Sequence, residues 1–173
     1  EYQEVNEGIP PYTLVGPESC YILASLARHA SQLDGEFAEC GVFKGGTALL
    51  LSRILKGQSK TLYLFDSFKG LPARNKGKDT AFFHEGKFAI DSVESVRQLL
   101  TDYLDRVVLR PGWIPDTFAG LDPKLYAFAH LDVDLYQSTL DCCKYFYPRL
   151  VAGGVLLFDE YGLPPAIGER DAV

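Results

Sequence analysis

Four carboxylates close two short apolar runs, in His130-Leu131-Asp132-Val133-Asp134-Leu135-Tyr136 and in Phe158-Asp159-Glu160-Tyr161. Each run reads as a buried strand that ends on acid. If the two strands are neighbours in a parallel sheet, Asp132 and Asp159 share one small volume, and carboxylates that repel one another so closely need a reason to be there. A hard divalent cation supplies one, because the oxygen-only set Asp132, Asp159 and Glu160 suits magnesium, manganese or calcium rather than zinc. Such a cation acts as a Lewis acid and lowers the pKa of an acceptor hydroxyl. Asp134, two positions after Asp132 and on the same face of an extended chain, is placed to take the hydroxyl proton as general base. Asp134 and Asp132 are therefore the predicted catalytic pair. Helix capping competes as an explanation, since Asp134 precedes a helical pattern and Asp132 can bond turn amides.

A glycine turn, Gly41-Val42-Phe43-Lys44-Gly45-Gly46-Thr47, follows the first apolar run. A phosphate-binding loop requires a lysine and then Ser or Thr after its last glycine; here Thr47 follows Gly46 directly, which disfavours ATP and GTP. A dinucleotide turn requires glycine where Phe43 stands, so that amides can approach a pyrophosphate. S-adenosylmethionine has no pyrophosphate, and its cationic sulfonium and amino groups give Glu39 an electrostatic use. Glu39, Gly41, Gly45 and Thr47 are the cofactor-binding positions predicted around this turn. Asp66 lies 20 residues beyond Gly46, at the tip of the second strand, where a carboxylate can accept both ribose hydroxyls. That feature fits NAD as well, and a cap on the next segment is its competing role. Gly112-Trp113 follows the third strand, and the indole there either lies against a purine or belongs to the core.

The elements that must hold these residues alternate along the chain. Helical spacing over 19–33 is followed by a strand at 37–40, the glycine turn and a Leu- and Ala-rich helix at 47–56. Strands follow at 61–65, 107–109, 126–131 and 155–158, with helices at 92–103 and 138–150. Alternation of this kind predicts a doubly wound α/β fold, a mostly parallel Rossmann-like sheet with helices on both faces. Asp66, Asp132, Asp134, Asp159 and Glu160 all fall at or just past strand C-terminal ends, the edge where open α/β sheets bind ligands. The stretch 69–91, with Phe82, Phe83 and Phe88 among basic residues, has no clear period and reads as a mobile loop or lid.

Composition bounds the partners. The 173 residues, 47% hydrophobic and 23% charged, predict one folded domain over 1–173. A net charge of −6 without a basic stripe argues against nucleic acid. The long apolar stretches are interrupted by charge, so no membrane span is expected and a cytoplasmic protein is the reading. Cys20, Cys40, Cys142 and Cys143 form no Cys-x-x-Cys pair and read as reduced thiols.

Four strings together resemble the macrocin O-methyltransferase family: Glu39-Cys40-Gly41-Val42-Phe43-Lys44-Gly45-Gly46, Leu62-Tyr63-Leu64-Phe65-Asp66-Ser67-Phe68-Lys69-Gly70-Leu71-Pro72, 130–139 and 147–162. The resemblance runs from about Pro11 to the C-terminus. It implies a class I methyltransferase fold that uses S-adenosylmethionine and magnesium (Mg2+) to O-methylate a hydroxyl on a sugar or glycosylated natural product. It further implies that Glu39, Gly41, Asp66, Ser67, Gly112 and Trp113 line the methyl-donor pocket. By the same resemblance Asp132, Asp159 and Glu160 hold the metal, Asp134 takes the proton, and a homo-oligomer is compatible. The chain departs from the family at Asp159-Glu160, where Asp-Asp is usual, and in the C-terminal strands that complete the sheet, which it is expected to lack. A non-catalytic cofactor-binding or scaffold protein on the same fold is the alternative function, and an NAD-dependent oxidoreductase a more distant one.

Overall fold

The computed structural model describes residues 2–121 and 123–173. In chain order the elements are α1 (Tyr2–Asn6), α2 (Pro17–Ala30), β1 (Glu36–Cys40), α3 (Gly46–Ile54), β2 (Leu62–Asp66), α4 (Val93–Leu99), β3 (Val107–Pro111), β4 (Tyr126–Leu131), α5 (Tyr136–Phe146), β5 (Leu150–Phe158) and α6 (Ile167–Ala172). The five strands form one sheet in the order β3-β2-β1-β4-β5, and every pairing is parallel. Strand succession moves outward from β1 to β3, then returns to place β4 on the other side of β1. The reversal between β1 and β4 is the switch point at which such sheets open a crevice.

Period-two alternation sends neighbouring residues of one strand to opposite faces. Leu62 and Leu64 pack with Leu23 and Ala27 of α2, Leu51 of α3 and Val96 of α4. Tyr63 and Phe65 pack on the other face with Phe118, Tyr126, Cys142 and Phe146. β1, β2 and β4 are covered on both sides, which is why they read as near-continuous apolar runs. All four cysteines are free; Cys20, Cys40 and Cys142 are buried, and burial pushes the Cys20 thiol up to about 11.

Several boundaries differ from the sequence reading. α5 ends at Phe146, four residues early, because Pro148 lacks the amide that would continue it; a 3-10 turn over Tyr147–Arg149 leads into β5. β5 begins at Leu150 rather than 155, passing its two glycines through a register shift between Tyr126 and Phe128 of β4. α1 and α6 are too short to show a helical period. The 69–91 stretch contains no helix or strand, yet it is not a bare loop: Leu71 and Phe83 are buried with Leu135 and Ala166 in a small separate core. No helix among the described residues is long and apolar enough to cross a membrane.

The registers set the site. Cys40 pairs with Phe65 on one side and Leu131 on the other, and Leu131 pairs with Phe158. The residues that follow, Gly41, Asp66, Asp132 and Asp159, therefore emerge level at one edge. Gly41, at φ 86, packs so tightly on the Asp132 backbone that a Cβ would overlap the Asp132 carbonyl. Gly41→Ala should therefore destabilise the fold by about 2 kcal/mol or more in urea unfolding, through backbone strain and the forced separation of β1 from β4. A loss below about 0.5 kcal/mol would show that the two strand tips are not locked together.

Candidate active site

One cleft at this edge gathers most of the predicted residues, with about 230 Å³ of free space. Gly41, Phe43, Asp66, Ser67, Gly112 and Trp113 line one half, and Asp132, Asp134, Asp159 and Glu160 the other. Leu71, Pro72 and Phe88 of the 69–91 loop and Leu14 and Val15 before α2 complete the walls.

Asp66 Oδ2 accepts the amides of Val42 at 2.7 Å and Phe43 at 2.9 Å, and Oδ1 accepts the amide of Phe68 at 2.7 Å. The side chain therefore fixes the glycine turn, which tolerates Phe43 at φ 50. A carboxylate has about four acceptor sites, so three bonds leave capacity for one further donor. Ser67 Oγ bonds the Gly70 carbonyl at 3.0 Å and shapes the turn into the loop. Trp113 is 40% exposed, which makes it a cleft wall and not core.

Three predicted cofactor positions do not reach the cleft. Gly45, at φ 89, is the left-handed N-cap of α3, and Thr47 is buried in the first turn of that helix. Glu39 is fully buried inside the sheet, opposite His130 in register, with Oε1 2.9 Å from His130 Nδ1. His130 Nε2 faces Asp159 Oδ1 from 3.8 Å, beyond hydrogen-bond reach but within ion-pair range. Burial works against the imidazolium, but the carboxylates of Asp159 and Glu39 prevail and push it up to about 10. Glu39 thus balances a cation of the protein itself, where the sequence pointed to a cation of the cofactor.

Carboxylate oxygens of Asp132, Asp134 and Glu160 lie within 4.8 Å of one another. Asp159, assigned to the metal from sequence, is engaged toward His130, while Asp134, assigned as base, joins the group. Burial and then the charge of Asp159 raise Asp132 well above the carboxylate range. Burial and then Glu160 raise Asp134 to about 7, against the opposing charge of Lys87. Glu160 is raised by burial and by Asp159. Three oxygen donors this close, with no ammonium or guanidinium bonded to them among the described residues, fit a hard divalent cation in donor type and spacing.

Strand order, switch-point cleft and the polar residues at its rim define a class I methyltransferase fold. The solved structure of the O-methyltransferase NovP superposes on it with a TM-score of 0.82 at 29% identity, covering 93% of this chain and 71% of that one. The family model described as Macrocin-O-methyltransferase (TylF) matches residues 9–171, and the chain belongs to that family. It is 33% identical over 156 residues to the 8-demethyl-8-(2,3-dimethoxy-alpha-L-rhamnosyl)-tetracenomycin-C 4'-O-methyltransferase of Streptomyces olivaceus. It is 32% identical over 157 residues to the demethyldecarbamoylnovobiocin O-methyltransferase of Streptomyces niveus. Each match covers 83% of this chain and 58% of the relative, so the chain spans little more than half the length of these two proteins.

Sequence reasoning missed three charged neighbours of the cluster. Glu169 of α6 is fully buried, and neither carboxylate oxygen has a hydrogen-bond partner among the described residues. Lys87 lies 3.2 Å from the Phe82 ring centroid and acts electrostatically on Asp134 and Glu160. His130 carried no signal beyond its place in a strand, and Glu169 none at all, because α6 is too short to show which face it buries.

Burial and then the charge of Glu160 push Glu169 up to about 8. A carboxyl that holds its proton more tightly when folded favours the native state only while protonated. Without divalent cation, stability should therefore fall as pH rises from the ordinary carboxylate range through about 7 for Asp134 and about 8 for Glu169. Urea unfolding at pH 5 and pH 8.5 should differ by roughly 1–3 kcal/mol, and Glu169→Gln should remove part of that slope. A flat profile would mean that these carboxyls ionise freely in the folded chain.

Proposed function

We propose that this chain is an S-adenosylmethionine-dependent O-methyltransferase domain that acts on a hydroxyl of a sugar or glycosylated natural product, assisted by magnesium or a similar cation. One observation carries the reading: an indole-walled, largely apolar cleft and a close group of carboxylates form one continuous cavity. Family membership and the acceptor names of the relatives support it.

The glycine turn, Asp66, Ser67 and Trp113 would hold the donor, with Trp113 offering an aromatic face and Asp66 its remaining acceptor capacity. Asp132 and Glu160 would hold the cation, with Asp134 beside them, while Asp159 Oδ1 faces His130. When bound, the cation supplies Lewis-acid stabilisation of the ionising acceptor hydroxyl. Asp134 accepts the hydroxyl proton at a carboxylate oxygen, and a pKa near 7 suits a base working near neutrality. The acceptor oxygen then takes the methyl group as the C–S bond breaks and S-adenosylhomocysteine leaves. Leu71, Pro72 and Phe88 line the cleft and would reduce the water around a bound donor.

Thermal unfolding with S-adenosylhomocysteine, then with added magnesium, should show a rise at each step. Methyl transfer to demethyldecarbamoylnovobiocin and to the rhamnosyl tetracenomycin of the relative's name then tests turnover. Asp134→Asn should lower turnover about 100-fold or more with nucleoside affinity unchanged; near-normal turnover would remove Asp134 from the base role. Nucleoside binding with no transfer to any hydroxyl acceptor would favour the non-catalytic binding protein.

A further inference from the structure

The N-terminus of α5 lacks a cap of its own. Its N-cap residue is Leu135, and no side chain there bonds the first turn. The acceptor comes from 57 residues away: Asp79 Oδ1 takes the Tyr136 amide at 2.8 Å. The other oxygen, Oδ2, takes the Asn75 amide at 2.8 Å, and the Asp79 amide returns a bond of 2.7 Å to the Asn75 carbonyl. Asp79 is 6% exposed. A carboxylate at the start of an 11-residue helix also meets the positive end of the helix dipole.

Asp134 immediately precedes this junction. It sits at φ 60, an uncommon conformation for a residue with a Cβ, inside a tight turn in which the Leu135 amide bonds the Val133 carbonyl at 2.6 Å. Val133, Asp134 and Leu135 are all buried. A strained residue persists where its flanks are fixed: Asp132 bonds Cys40 on the strand side, and Asp79 holds Tyr136 on the helix side.

The loop is docked around the same point. Thr80 Oγ1 donates to the Pro165 carbonyl at 2.9 Å, Lys78 pairs with Asp171 at 3.2 Å, and Leu71 and Phe83 bury against Leu135 and Ala166. Gly168 of α6 leaves the space that Asp79 occupies, since a Cβ there would overlap Asp79 Oδ1. Loop, α5 and α6 thus meet on one carboxylate.

We propose that Asp79 is a positioning residue: by capping α5 from the loop that covers the cleft, it fixes the strained turn that aims Asp134 and makes cluster geometry depend on loop docking. The inference rests on the reading of Asp134 as a member of the acidic site. It predicts that undocking the loop loosens Asp134 before it disturbs the donor half, which is built on Asp66 and β1.

Asp79→Ala, Asp79→Asn and Gly168→Ala, each in the full chain, provide the test by residue-resolved amide hydrogen exchange and by Mn2+ titration with S-adenosylhomocysteine present. Asp79→Ala and Gly168→Ala should speed exchange at Tyr136 and across 71–88 at least tenfold and weaken Mn2+ binding at least fivefold. Exchange in β1, β2 and β4 and nucleoside affinity should stay within about twofold. Asp79→Asn, which keeps one of the two acceptors and can hold either the Tyr136 or the Asn75 amide, should lose less than Asp79→Ala in both properties. Unchanged exchange at Tyr136, or equal loss of protection through the whole sheet, overturns the proposal. A wild-type chain that binds no Mn2+ refutes the metal reading alone; exchange at Asp134, Leu135 and Tyr136 then decides the role of Asp79.

Discussion

The contact between Gly41 and the Asp132 backbone governs the arrangement of everything at the sheet edge. No side chain fits there, so the tips of β1 and β4 come as close as two backbones can. The glycine turn that departs from one tip and the acidic segment that departs from the other are forced into a single cavity. A Cβ at position 41 would push the Asp132 carbonyl aside and disturb the point where the apolar cleft meets the carboxylates. Their continuity is what the proposed transfer of a group from one half to the other would require.

Charge balance inside the sheet is the second constraint. Glu39 and His130 face each other in register with no exposure, and Asp159 attracts the far side of the same ring. Even a protonated His130 between these two carboxylates leaves net negative charge, and Asp132, Asp134, Glu160 and Glu169 add carboxyls that have no bonded basic partner among the described residues. Burying carboxylates in this way is costly. Burial accordingly pushes Asp134 up to about 7 and Glu169 up to about 8, so holding a proton offsets part of that cost. Under the proposed function a bound cation would offset it differently, by letting the carboxyls ionise, the state in which Asp134 could serve as a base.

What was legible in the sequence follows from what periodicity and spacing can encode. The sheet, its parallel sense and the level of the acidic tips came from buried runs that end on polar residues, and the structure agrees. Glu39 was singled out for its charge, and the register that sets it against His130 is a property of two strands that spacing along the chain does not reveal. Trp113 could be assigned to cleft or core only by its exposure. Assigning Asp159 to the cation and Asp134 to the proton followed strand-end position, which does not show that Asp159 faces His130 or that Asp134 lies close to Asp132 and Glu160. Glu169 and Asp79 were invisible because each acts across a tertiary contact, from a helix of six residues and from a loop without period.

The loop over 69–91 shows how such contacts turn an irregular segment into part of a site. Its ordering does not come from its own hydrogen-bond ladder, since it forms neither helix nor strand, but from Leu71 and Phe83 in a small core and from polar bonds to α5 and α6. Such a core is much smaller than the two that flank the sheet, so the loop can release at a cost well below global unfolding. Release would expose the cleft and uncap the helix that follows Asp134 in one event. Opening for entry and misalignment of the acidic cluster are then the same motion, and the carboxylates are correctly aimed only when the cleft is covered. Under the proposed function that coupling would matter, because the open state, which admits solvent, would also be the state in which the turn carrying Asp134 is loosest.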